Sequence, residues 1–138
     1  MGYDFLLTRL PNGSDHFPVE LSADFYPSPA TFSDLKAIRD ALVLQKGFKA
    51  NGPSGEAQHE YLWHTPDGGG LYVRLSEECI YVDTHAGWRY VLETYQCLKM
   101  LYADLVLIDP QKMAIHDEVS YSTFVHESYA ALEQKRNT

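Results

Sequence analysis

Between His59 and Thr84 the chain carries three short runs, His59 to Thr65, Gly70 to Ser76 and Cys79 to Thr84, rich in aromatic and β-branched residues. Pro66-Asp67-Gly68-Gly69 separates the first two, and Glu77-Glu78 the second two, so both connections are of hairpin length. This predicts an antiparallel meander, which constrains the rest of the fold. Alternation gives each strand an apolar face that another layer must cover. With Glu77 and Glu78 as the loop, Leu75 stands opposite Ile80 and Val73 opposite Val82 on one aliphatic face. The other face then carries Tyr72, Arg74, Tyr81 and Asp83, and with Leu62 pointing to the core it also gains Tyr61 and Trp63.

The covering layer is predicted from helical periodicity. Trp88 to Ala103 places Trp88, Val91, Leu92, Tyr95, Leu98 and Tyr102 on a long apolar stripe. A shorter helix opens at Thr31, with Asp34 three residues later as in a capping box, presents Leu35, Ile38 and Leu42, and stops at Gly47. A third runs from about Ser122 to Gln134, capped by Ser120 or Ser122. Tyr3 to Leu10 reads as a strand. Leu105 to Ile108 reads as a buried strand that turns through Asp109-Pro110-Gln111-Lys112 into Met113 to His116.

Residues 11–30 read as a long ordered loop pinned by Phe17, Val19, Leu21, Phe25 and Tyr26, and residues 135–138 as a frayed tail. The order of elements predicts one α+β domain over residues 1–138. It is a two-layer sandwich, a mainly antiparallel sheet with helices packed on one face.

Charge excludes some partners. The chain has 19 Asp plus Glu against 11 Lys plus Arg, a net charge of -8, which opposes the counterion release that drives nucleic-acid binding. A basic protein is the better electrostatic match. Cys79 and Cys97 form no C-x-x-C pair, no basic and apolar leader opens the chain, and no apolar run is long enough to span a bilayer. Together these point to a cytoplasmic protein that does not enter a membrane.

No residue set carries an evident reaction. His59 and His64 are five apart and on a strand would face opposite ways, so no metal site is expected; nor is a cofactor. Gly68-Gly69-Gly70 joins two strands rather than opening a helix, unlike a phosphate loop. Cys79, Asp83 and His85 could form a nucleophilic set, but buried structural thiols are the commoner case. Glu77-Glu78 and Asp117-Glu118 read as solvated charge.

Met1-Gly2-Tyr3-Asp4-Phe5, the central hairpins, the helix led by Gly87-Trp88, and Asp104-Leu105-Val106-Leu107-Ile108-Asp109-Pro110-Gln111 together resemble small acidic bacterial proteins of the polymorphic-toxin immunity type. The resemblance is one of size, acidity and layout. It implies a cytoplasmic protein that covers the active site of one toxin domain. The leading expectation is therefore a non-enzymatic binding protein that neutralises or sequesters a basic protein partner. Tyr61, Trp63, Tyr72 and Tyr81 would supply contact area, Arg74 and Asp83 orientation, and Glu77, Glu78 and Asp67 steering. Two alternatives stand beside it. One is a small enzyme or ligand-binding domain with a pocket beneath the 11–30 loop near Asp83, His85 and His116; the other is a subunit that pairs with its own copy as a homodimer.

Overall fold

The computed structural model describes residues 2–11, 14, 16–20 and 31–136. Eight strands form one antiparallel sheet: β1 (Tyr3–Arg9), β2 (Val19–Glu20), β3 (Lys49–Ala50), β4 (Glu60–His64), β5 (Gly70–Leu75), β6 (Ile80–Thr84), β7 (Leu105–Asp109) and β8 (Ala114–His116), in the order β2-β8-β7-β1-β6-β5-β4-β3. Among the described residues there are four α-helices: α1 (Leu35–Ala41), α2 (Gly55–Gln58), α3 (Trp88–Lys99) and α4 (Glu118–Arg136). This is the α+β sandwich that the alternation and helical stripes predict.

The central strand β1 pairs with β6 on one side and β7 on the other. Both are antiparallel to it, so they run parallel to each other and cannot be joined by a tight turn. α3 makes that return across the sheet and buries Tyr90, Val91, Thr94, Tyr95, Cys97 and Leu98. Its stripe meets Phe5, Leu7, Val73, Val82, Leu105 and Leu107 from the strands in one core cluster. The Tyr95 hydroxyl would be costly to leave unpaired there, and it donates to the Leu105 carbonyl at 2.8 Å.

Helix boundaries follow local chemistry that periodicity only approximates. Asp34, rather than Thr31, is the N-cap of α1, its carboxylate accepting the Ala37 N–H at 3.0 Å. The helix widens into a π turn at Leu42–Lys46 and ends at Gly47, whose φ of 80° is the left-handed stop. α4 begins at Glu118, one turn before the predicted Ser122, because Asp117 and Ser120 cap it reciprocally. Asp117 Oδ1 accepts Ser120 N–H at 2.8 Å and Ser120 Oγ accepts Asp117 N–H at 3.1 Å. α3 stops at Lys99, short of Ala103.

Among the described residues the opposite face of the sheet is half covered. Leu10, Val106, Ile108 and Ile115 form a second buried cluster with Leu6, Phe17 and Val19 against it. Val19–Glu20 is therefore an edge strand within the predicted 11–30 loop, and Phe17 and Val19 do pin that segment to the sheet. The anchors expected at Leu21, Phe25 and Tyr26, and the end of the 135–138 tail, lie outside the described residues. Among the described residues no helix is long and apolar enough to cross a membrane.

Candidate functional site

The half of the outer face that the other described residues leave open is built by β4, β5, β6 and the start of β1. Tyr72 stands opposite Asp83 and Arg74 opposite Tyr81 across β5 and β6, as the two-residue loop at Glu77-Glu78 requires. Across β1 and β6, Asp4 faces Asp83 and Leu6 faces Tyr81; across β4 and β5, Glu60 faces Arg74 and Leu62 faces Tyr72. Residues paired in this way share a face, so Asp4, Asp83, Tyr72, Tyr81, Arg74, Leu62 and Glu60 form one surface.

Tyr72 and Tyr81 pack edge to face at 6.3 Å and are half-buried, while Arg74 is exposed. The Tyr81 hydroxyl donates to Asp4 Oδ1 at 2.6 Å. That bond, then burial and the Asp4 and Asp83 charges, push the Tyr81 phenol up to about 12. Burial, with Glu60 beside it, also raises Tyr72. Both rings therefore stay neutral and present a fixed polar tip. Asp83 Oδ2 lies 3.8 Å from His85 Nε2. Its Oδ1 is enclosed and has no hydrogen-bond partner among the described residues. The Gly2 backbone passes so close that a Cβ there would overlap this oxygen.

Tyr61 and Trp63 are not on this surface. Tyr61 pairs with Val73 and Trp63 with Leu71, which places both on the helix side. Tyr61 is 1% exposed, and Trp63 packs at 5.6 Å against both Phe48 and Tyr90. The cause is the first hairpin. His64 pairs with Gly70, leaving Thr65 to Gly69 as a connection one residue longer than Pro66 to Gly69, and a one-residue change of register exchanges the faces of a strand. Leu62 consequently points outward. Asp67 is also displaced from its expected steering role. Its carboxylate accepts from the Thr65 hydroxyl, Gly87 N–H and Gly69 N–H, bonds that lower its pKa and tie the hairpin to the start of α3. Glu77 and Glu78 are exposed at the far hairpin, as expected.

The set Asp83, His85 and His116 does not assemble. His116 pairs with Leu107, which pairs with Leu7, so it lies on the helix face, whereas Asp83 lies on the outer face with β1 and β7 between their strands. Cys79 precedes β6 and His85 follows it. The five strand residues between them span six steps along the strand, roughly 20 Å, which excludes a nucleophilic pair. Cys97 is a buried core thiol against Ala41 and Gln45, its pKa raised by burial. Among the described residues no group of three His, Cys, Asp or Glu side chains is placed to hold a metal ion.

His116 instead joins a buried polar and aromatic cluster. The Tyr3 hydroxyl donates to the Asp109 carboxylate at 2.9 Å, Asp109 is 1% exposed, and burial together with that bond raises the Tyr3 pKa. The His116 ring packs on Tyr121 and Phe124, with Nδ1 2.9 Å from Ser120 Oγ. Burial lowers the His116 pKa, against the opposing pull of Asp109 and Asp117. One edge of this cluster opens on a groove of about 450 Å³ whose walls include Phe17, Pro18, His116, Ser120, Phe124 and Glu127. Of the polar groups expected to line a pocket, His116 is in this groove, and Asp83 and His85 are not among its described lining residues. Tyr3, Asp4 and Asp109 escape sequence reasoning because only long-range pairing brings β1 between β6 and β7.

Comparison of the chain with protein-family models, with curated proteins and with solved structures gives no match.

Proposed function

We propose that this chain is a non-enzymatic cytoplasmic binding protein that sequesters or neutralises a basic protein partner, in its most specific form a toxin-immunity protein. The observation that carries this reading is the division of the outer sheet face. One half is sealed over Val106, Ile108 and Ile115, while the other leaves Tyr72, Tyr81 and Arg74 beside Asp4 and Asp83. Tyrosine and arginine at the centre of a surface provide large contact area with few rotatable bonds. The acidic rim, with Glu60, Glu77 and Glu78, favours approach of a basic partner.

The test is co-expression with a basic toxin domain encoded beside this chain. The wild type restores growth and binds the domain; the double variant Tyr72→Ala/Tyr81→Ala remains folded and does neither. Retention of binding by that folded variant removes this face from the reading.

A second reading, a small-ligand-binding domain, is favoured by the groove beside His116, where a nearly enclosed imidazole meets an apolar wall.

A further inference from the structure

We propose that the groove between the Phe17–Pro18 segment and the first turns of α4 binds a small protonated amine with an aromatic body, its charge held by Glu127 and Asp117 and its acceptor atom met by His116. This rests on the second reading above and is independent of the outer sheet face.

The volume, about 450 Å³, falls within the range of small-molecule sites. Phe17 and Pro18 supply apolar surface from one segment and Phe124 from α4, which suits a flat ring. The polar groups then select the ligand's charge. Asp117 and Glu127 line the groove, and among the described residues no Lys or Arg does so. Lys112 Nζ lies 5.0 Å from the Phe124 ring centroid without entering the lining. An anion would look to the N–H groups at the start of α4. Asp117 engages two of them and sets its own negative charge there: its side chain accepts Ser120 N–H at 2.8 Å and its carbonyl accepts Tyr121 N–H at 3.1 Å.

His116 supplies the third element. It is 5% exposed and lines the groove. Ser120 Oγ accepts the Asp117 N–H, so its own proton goes to the nearer of two acceptors, His116 Nδ1 at 2.9 Å rather than the Asp117 carbonyl at 3.4 Å. Nε2 then carries the ring proton, and no hydrogen-bond partner holds it among the described residues. A ligand acceptor satisfies that donor, whereas a purely apolar ligand leaves it unpaired.

Residue-resolved NMR titration with tyramine, its uncharged alcohol analogue tyrosol and arginine amide tests this, the phenol oxygen of the first two offering the acceptor for His116. Tyramine should give saturable shifts centred on His116, Ser120 and Phe124, with a Kd about tenfold below that of the uncharged alcohol, the size expected of a charge-assisted bond. Glu127 is exposed, so Glu127→Gln keeps the fold and should narrow the difference, with Asp117 retaining the remainder. Absence of saturation, equal affinity for the alcohol, or unchanged discrimination in Glu127→Gln overturns the proposal. Tighter binding of arginine amide than of tyramine also overturns it, because the groove would then suit a basic side chain of a protein.

Discussion

Asp4 and Asp83 stand directly opposite each other on β1 and β6, two carboxylates in cross-strand register with no Lys or Arg paired to either among the described residues. Like charges in this position repel, so the pairing is a local cost that folding alone does not require. Asp4 is partly compensated by the Tyr81 hydroxyl; Asp83 has only His85 at 3.8 Å. Asp83→Asn should therefore stabilise the chain, by about 0.5 kcal/mol at low ionic strength, and the gain should shrink in high salt. Urea unfolding at two salt concentrations measures it. The same variant should weaken capture of a basic partner, which separates a retained binding charge from an incidental one.

Tyr121 is fully buried, yet its hydroxyl has no hydrogen-bond partner among the described residues. The ring is well used, packing on Phe5, His116 and Phe124. Tyr121→Phe keeps these contacts and removes the unpaired group, so it should raise stability by about 1 kcal/mol. A lower melting temperature for this variant would mean that the hydroxyl has a partner in solution.

Proton linkage at His116 has a definite sign. Burial depresses the folded-state pKa below the usual imidazole value, with Asp109 and Asp117 opposing and the α4 N-terminus adding to the penalty on the cation. As pH falls through that usual value, the unfolded chain gains a proton before the folded one does. The contribution is fully present above it and is lost as pH falls through the folded pKa. Between about pH 8 and about pH 5 the wild type should lose more stability than His116→Gln, as urea midpoints will report.

How far the sequence specifies this molecule depends on the range of the interaction. The β5–β6 register was legible because two residues at Glu77-Glu78 leave one way to pair the strands, and Tyr72, Arg74, Tyr81 and Asp83 emerge on one face as predicted. The β4–β5 register was not. Thr65 is read as the end of the strand, but its hydroxyl bond to Asp67 assigns it to the turn and carries Tyr61 and Trp63 into the core. Asp4 became visible as a site residue only once β1 was inserted beside β6, a pairing across almost eighty residues for which no local pattern exists. The caps show the same limit at short range, since Thr31 and Asp34 are both competent N-caps and only the bond to Ala37 decides between them.

The two cysteines should separate by reactivity. Cys79 is half-buried beside Ser76, whereas Cys97 is buried and its thiol pKa is raised by burial. A thiol reagent should modify Cys79 in the folded protein and reach Cys97 only in denaturant. Equal rates at both sites would place Cys97 outside the core.

The division of the aromatic residues between the two faces makes the most demanding prediction, because it separates packing from recognition within one hairpin. Tyr61 is 1% exposed beneath the helices, so Tyr61→Ala should cost about 3–5 kcal/mol, a large share of the stability of a domain this size. Tyr72 and Tyr81 lie on the outer face only half-buried, and their truncation should cost distinctly less. If recognition lies on that face, partner affinity should follow the opposite order once the loss of folded protein is corrected for. Tyr72→Ala and Tyr81→Ala should each weaken binding more than tenfold, the penalty of a hot-spot residue, while the helix-facing Trp63→Phe leaves affinity unchanged. Calorimetric melting paired with surface binding on the same four variants gives both orders; parallel losses would mean that the outer tyrosines only support the sheet.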